Sequence, residues 1–174
     1  CWRCGGPSTR KDMEQWFFRI TNYADRLLDD LDKLDNWPER VRLMQRNWIG
    51  RSNGAIINFK IQETGDEVPV FTTRPDTIYG VTYLVLAPEH PLVKKITNGT
   101  EFESQVNEFI EQVRSMTDIE RQSAAIEKAG MFIGKHAINP INGDVVPIWI
   151  TNYVLLDYGT GAVMGVPAHD QRDF

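Results

Sequence analysis

The chain has 174 residues and a formal net charge of −5, with 41% hydrophobic and 25% charged residues, the balance of one globular domain with an appendage, able to bury a core. The mild acidity excludes nucleic-acid binding driven by bulk positive charge, though not a nucleic-acid end delivered by other parts of a larger protein. No apolar run approaches the roughly 20 residues of a membrane-spanning helix, and Asn98-Gly99-Thr100 reads as a chance glycosylation sequon.

In chain order, Cys1-Trp2-Arg3-Cys4 is a CxxC knuckle, half of a tetrahedral zinc site. Gln15–Ile20 is aromatic and β-favouring and predicts a short strand. Thr21 is placed to cap a helix over Asn22–Leu34, with Ala24, Leu27, Leu28, Leu31 and Leu34 on one face. Asp25, Asp29 and Asp32 also align at helical spacing, as a solvated face offset by Arg26 and Lys33 rather than a metal site. Pro38 opens a second helix with Val41, Met44 and Trp48 as its apolar stripe. Arg40, Arg42, Arg46 and Arg51 make it the most basic stretch, read as a solvated face ahead of a phosphate-binding patch.

Ala55–Gln62 and Val68–Phe71 predict a hairpin turning at Glu63–Asp66, and Val81–Leu86 a further strand. Helices are expected over Pro88–Ile96, Glu103–Arg114 and Asp118–Lys128. Strands then return at Met131–Ile133, His136–Asn139, Val145–Ile150, Val154–Leu156 and Val163–Val166, with a turn at Asn142-Gly143-Asp144. Strands outside and helices inserted between them predict an α+β fold, a β-barrel-like domain decorated with helices and preceded by a helical and strand linker. The boundary is expected near residues 51 and 52. Neither a GxGxxG nor a Walker loop is present.

Two stretches carry the chemistry. In Phe71–Gly80, FTTRPDTIYG, Thr72, Thr73, Arg74, Asp76 and Thr77 crowd around Pro75, and the Pro75-Asp76 step favours a polar kink between two apolar runs. An ordinary turn whose threonines satisfy their own backbone is the competing reading. In Asp157–Phe174, DYGTGAVMGVPAHDQRDF, Gly159, Gly161 and Gly165 allow close approach of another backbone or a ligand. Pro167 ends the strand, and His169, Asp170, Arg172 and Asp173 follow together.

Together these stretches resemble the threonine-rich motif and the GTG-to-HDQRD motif of the editing domain of leucyl-tRNA synthetases, of the bacterial type. The resemblance extends over essentially the whole chain. Isoleucyl and valyl enzymes have a TTTPWT-like sequence where this chain has TTRPDT, so Arg74 and Asp76 favour the leucyl type. The resemblance implies an internal stretch of a longer, cytoplasmic, monomeric ATP-dependent leucine–tRNA ligase, from the end of its zinc-binding module into its editing domain. The HIGH and KMSKS signatures of amino-acid activation are absent here. No cofactor is implied for this stretch; ATP, and zinc where the knuckle is completed, belong to the parent. The partner implied is the 3′ end of tRNA-Leu.

Residue by residue, the resemblance assigns Asp173 to the substrate's α-ammonium group, where a charge-assisted hydrogen bond in a cleft is strong. Thr77 is assigned as the stiff β-branched wall that keeps leucine out. Thr72 and Thr73 line the adenosine and ester side. Arg74 neutralises a phosphate, orients Asp76 or forms a structural ion pair, and Met164 forms pocket wall or is core. Arg172 reaches the terminal nucleotide, and Asp170 tethers the site. His169 is placed on the substrate side, since a Thr/His/Asp relay from adjacent residues rarely reaches the geometry required. His90, His136 and His169 are scattered, so no catalytic zinc is expected. A non-catalytic adenosine-binding module and a free-standing deacylase stay open as alternatives.

Overall fold

The computed structural model describes residues 2–6, 13–117, 120, 121, 123 and 127–174. The chain divides into two compact units, Lys11–Asn53 and Gly54–Phe174, the second grouped with Cys1–Arg10.

The unit Lys11–Asn53 is helical. Helix α1 (Ala24–Asp30) is flanked by 3-10 turns at Ile20–Tyr23 and Leu31–Lys33, and helix α2 spans Glu39–Ile49. The single helix expected over Asn22–Leu34 is therefore broken at both ends. Thr21 lies within the first 3-10 turn, and no side chain caps α1. Asp29, Asp30 and Asp32 crowd its far end, where negative charge opposes the helix dipole. Leu28 and Leu31 are buried but Leu27 is exposed, so the apolar face is narrower than its periodicity implies. Pro38 is the N-cap of α2. Val41, Met44 and Trp48 are exposed rather than packed.

The strand expected over Gln15–Ile20 does not form. Trp16, Phe17 and Phe18 are exposed, and no strand pairs with them among the described residues; β-propensity takes effect only against a ladder and a packed face. The arginines of the basic stretch meet acids of their own unit: Arg42 pairs with Glu39, Arg46 with Asp32, and Arg51 with Asp25 and Asp29. The row of aspartates is neutralised by these pairs and by Arg26 and Lys33 on Asp30.

Among the described residues the unit Gly54–Phe174 holds six strands: β1 (Ala55–Ile61), β2 (Glu67–Thr72), β3 (Tyr83–Leu86), β4 (Gly130–Ile138), β5 (Val145–Thr151) and β6 (Ala162–Gly165). They form one mixed sheet in the order β2-β1-β4-β5-β3-β6. The expected hairpin forms as β1–β2, from Ala55↔Thr72 to Lys60↔Glu67. Every neighbouring pair is antiparallel except β3–β5. A parallel pair needs a long crossover, and helices α3 (Pro91–Thr97) and α4 (Glu103–Arg114) lie within it. No ladder joins the end strands β2 and β6 among the described residues, yet their Cα atoms come within 8 Å, so the sheet curls back on itself. The α+β class stands.

The core packs Phe59, Ile61, Val68, Val70, Leu84, Leu86, Ile148 and Ile150 of the sheet against Val93, Ile96, Val106 and Ile110 of the helices. In α4, Val106, Ile110 and Val113 are buried at the spacing of one helical face. The strands expected at Met131–Ile133 and His136–Asn139 are one strand, β4, whose register shifts between Phe132 and His136. Gly134 within it has φ 72°, and a Cβ there would lie 2.3 Å from the Phe102 ring, so this bulge requires glycine.

The strand expected at Val154–Leu156 is absent. The Val154 carbonyl accepts from the buried Arg121 guanidinium at 2.7 Å, and Tyr158 N–H turns back to the Leu155 carbonyl. Of the helix expected over Asp118–Lys128, only Glu120, Arg121, Ser123, Glu127 and Lys128 are described. Thr117 and Glu120 cap each other reciprocally, Thr117 N–H donating to Glu120 Oε2 at 2.7 Å and Glu120 N–H to Thr117 Oγ1 at 3.2 Å. Much of its remainder lies outside the described residues.

Candidate active site

Between β2 and β3 the threonine-rich stretch becomes a 3-10 helix, Pro75–Gly80, with Pro75 at its first position. The three threonines separate into different states. The Thr72 hydroxyl accepts from Arg74 N–H at 3.0 Å, and the buried Thr77 hydroxyl donates to the Arg74 carbonyl at 2.9 Å. For these two, the reading of threonines satisfying their own backbone holds. Thr77 is thereby locked in one rotamer and offers a fixed surface. Thr73 is exposed, and its hydroxyl carries no hydrogen bond among the described residues.

Arg74 forms a bidentate pair with Asp76, at 2.9 and 2.7 Å. This pairing holds the Asp76 carboxyl below its ordinary range. The arginine's charge is largely offset by its neighbour. Buried Asn139, at the end of β4, donates to the Ile78 carbonyl at 2.8 Å and anchors the 3-10 helix from below.

The second stretch leaves β6 at Gly165. Val166 N–H donates to Asp173 Oδ2 at 2.9 Å, folding the tail back on the strand end. Oδ1 of the same carboxylate carries no hydrogen bond among the described residues. Arg172 Nε spans both oxygens of Asp170 at 3.0 and 3.2 Å, and its backbone N–H donates to Oδ1. These contacts lower the Asp170 pKa to about 2. Asp170 therefore serves Arg172, not the adjacent His169. Met164 is buried on β6, opposite Leu84 of β3.

The two stretches meet. A Cβ on Gly80 would lie 2.8 Å from Cδ2 of His169, so the imidazole rests against the end of the 3-10 helix, where it also contributes to the field at Asp76. A Cβ on Gly159 would lie 3.4 Å from that of Phe71. His90, half-buried at the N-cap of α3, accepts from Leu92 N–H at 3.2 Å, and a Cβ on Gly161 would lie 3.2 Å from its Cδ2, so the ring rests on the glycine loop. Burial pushes its pKa down. Tyr83, the first residue of β3, reaches the Asp173 carbonyl with its hydroxyl at 3.0 Å.

His90, Tyr83 and Asn139 escape a reading of the sequence because each acts on a segment distant in the chain. The one signal for Asn139 is its place before a proline and a turn, where a buried amide often caps backbone. An open cleft of about 310 Å³ lies beside the site, lined by Tyr83, Gly130, Trp149, Thr151 and Tyr153. None of the residues singled out from the sequence lines it.

Cys4 is an exposed free thiol, and Cys1 lies outside the described residues. Among the described residues no group of three His, Cys, Asp or Glu side chains is placed to hold a metal. No helix among the described residues is long and apolar enough to cross a membrane.

Comparison with known proteins places these features. A family model described as leucyl-tRNA synthetase, editing domain, matches residues 46–174. Over its whole length the chain is 59% identical to a leucine–tRNA ligase of Symbiobacterium thermophilum and 59% identical to that of Dehalococcoides mccartyi, covering 21% of each. A crystal structure described as the ternary complex of Agrobacterium radiobacter K84 agnB2 LeuRS-tRNA-LeuAMS matches 99% of this chain with a TM-score of 0.77 and 42% identity, using 21% of that chain. The sequence thus spans about a fifth of the length of the curated relatives it matches.

Proposed function

The chain belongs to the leucyl-tRNA synthetase editing-domain family, and from that premise we propose that it hydrolyses the ester joining a wrong amino acid to the terminal adenosine of tRNA-Leu. The observation that carries this is the meeting of the threonine-rich helix with the HDQRD tail, through Gly80 and His169. That contact brings hydroxyls, a guanidinium and a carboxylate to one edge of the sheet.

The need is energetic. A pocket that tells two side chains apart by one methylene gains only about 1–3 kcal/mol, so errors call for a second sieve. The substrate is an activated ester, and the protein has to hold it, place a water and stabilise the oxyanion. Water adds across the ester bond, releasing the amino acid and the ribose hydroxyl. Asp173 takes the α-ammonium through its open Oδ1. Thr73 offers the hydroxyl left over for water or ribose, and Thr77 excludes leucine by shape. Norvaline and isoleucine are the substrates that fit. Arg172 stands beside the terminal nucleotide, with Asp170 steering it.

In the parent ligase this activity would follow ATP-dependent charging of tRNA-Leu, in the cytoplasm and in a monomer. The domain boundary is placed near residue 52, and ATP belongs to the rest of that parent.

The test is deacylation of norvalyl-tRNA-Leu by the chain and by Asp173→Ala. Hydrolysis that disappears with Asp173 supports the proposal. Equal tRNA binding with no turnover in either protein would instead identify a non-catalytic binding module.

A further inference from the structure

Tyr83 is absent from every assignment made above, yet it touches the tail at two places. Its ring lies over Gly165 so closely that a Cβ there would be 2.3 Å from Cζ. Its hydroxyl donates to the main-chain carbonyl of Asp173, a residue ninety positions further along the chain. The same tail is held by Lys128 Nζ on the Arg172 carbonyl at 3.1 Å and by Asp173 N–H on the Asp170 carbonyl at 3.1 Å. Lys128 also lies 5.2 Å from the ring centroid of Tyr153, which lines the same cleft as Tyr83. Tyr83 and Lys128 thus brace the tail, one from β3 and one from the chain ahead of β4.

We propose that Tyr83 is a positioning residue for the hydrolytic reaction, fixing the main chain of Asp173 so that its carboxylate meets the α-ammonium group of the substrate. The inference rests on the editing function proposed above. The argument is geometric. Among the described residues the Asp173 side chain accepts one hydrogen bond, from Val166 N–H, and that bond leaves the carboxylate free to pivot about Oδ2. A second fixed point is needed to aim Oδ1. The Tyr83 bond to the backbone of the same residue supplies it, from a rigid strand paired on both sides, to β5 and to β6. Burial in turn raises the Tyr83 pKa, so its hydroxyl keeps its proton and remains a donor throughout the neutral range.

The test uses Tyr83→Phe, which keeps the ring over Gly165 and removes only the donor. Wild type, Tyr83→Phe and Asp173→Ala are compared on norvalyl-tRNA-Leu and on the N-acetylated ester, which has no ammonium for Asp173 to grip. The preference for the free amine is expected to fall about tenfold in Tyr83→Phe, as for loss of one well-placed hydrogen bond, while the N-acetylated ester is hydrolysed at the wild-type rate. An equal loss on both esters, or no loss on either, overturns the positioning role. Amide exchange at Val166 gives a readout without turnover. Exchange several-fold faster in Tyr83→Phe supports the brace, and unchanged exchange refutes it. If wild type hydrolyses neither ester, the functional reading fails, and the Val166 amide alone decides whether Tyr83 positions the tail.

Discussion

The Tyr83 ring and Gly165 occupy space that no larger residue at position 165 can share, since a Cβ would lie 2.3 to 2.5 Å from three ring carbons. Gly165→Ala must push the ring off the strand. The expected cost is about 1–3 kcal/mol, as for overpacking elsewhere, read as a lower urea midpoint with an unchanged slope. Because the displaced ring carries the bond to Asp173, deacylation should fall by more than the stability loss explains.

Asn139 offers a second check. Its side chain is buried, donating to the Ile78 carbonyl and accepting from Ile141 N–H. Asn139→Ala strands both groups, at about 1–3 kcal/mol for a buried group left unsatisfied. The 3-10 helix that carries Thr77 loses its anchor, so discrimination against leucine should weaken alongside stability. Deacylation of leucyl-tRNA-Leu, expected to be negligible in wild type and to rise in the variant, measures it.

Thr77→Ala tests the wall itself. The substitution removes the hydroxyl bound to the Arg74 carbonyl and the methyl proposed to keep leucine out. Hydrolysis of the leucyl ester is expected to appear at a rate approaching that of the norvalyl ester. Continued exclusion of leucine would place the wall elsewhere.

Arg121 is nearly fully buried and bonds Glu89, the Asn152 carbonyl and the Val154 carbonyl. Arg121→Met leaves Glu89 as a partly buried unpaired charge and two carbonyls without a donor. Breaking such a pair from one side costs about 3–5 kcal/mol. Thermal unfolding should show a loss of that order, with Arg121→Lys recovering only part, because an ammonium cannot span three acceptors in a plane.

The Asp170–Arg172 pair gives a prediction in pH. With its pKa lowered to about 2, Asp170 contributes stability that is complete above the ordinary carboxyl value of 3.8 and is lost as pH falls through about 2. The contribution is small, since Arg172 is largely exposed. Carboxyl titration by NMR should find Asp170 near 2 in wild type and higher, but still below 3.8, in Arg172→Ala, which loses the guanidinium and keeps the backbone N–H bond.

What the sequence displays depends on the range over which each residue acts. The β1–β2 hairpin and α4 are local patterns, alternation around a four-residue turn and one apolar face, and both form as expected. The polar kink was legible for the same reason: Pro75 and its neighbours act within a few positions. Gln15–Ile20 misled because aromatic, β-favouring residues form a strand only where a partner exists. Val154–Leu156 misled because a guanidinium more than thirty residues earlier takes the carbonyl a ladder would use. Tyr83 and Asn139 have no local signature. Their roles lie in hydrogen bonds ninety and sixty-one residues along the chain.

The lone parallel pairing of β3 with β5 has a consequence for the order of assembly. As the chain leaves the ribosome, β1 and β2 can zip at once, but the threonine-rich helix emerges without any of the strands that will flank β3. Its parallel neighbour, Val145–Thr151, appears only after α3, α4 and β4 have been made, and the antiparallel one, Ala162–Gly165, later still. Closing so long a loop is slow and leaves an unpaired strand exposed meanwhile. The two halves of the proposed site therefore meet late in the making of this domain, and a ribosome stalled before residue 162 carries the threonine hydroxyls without Asp173 to face them.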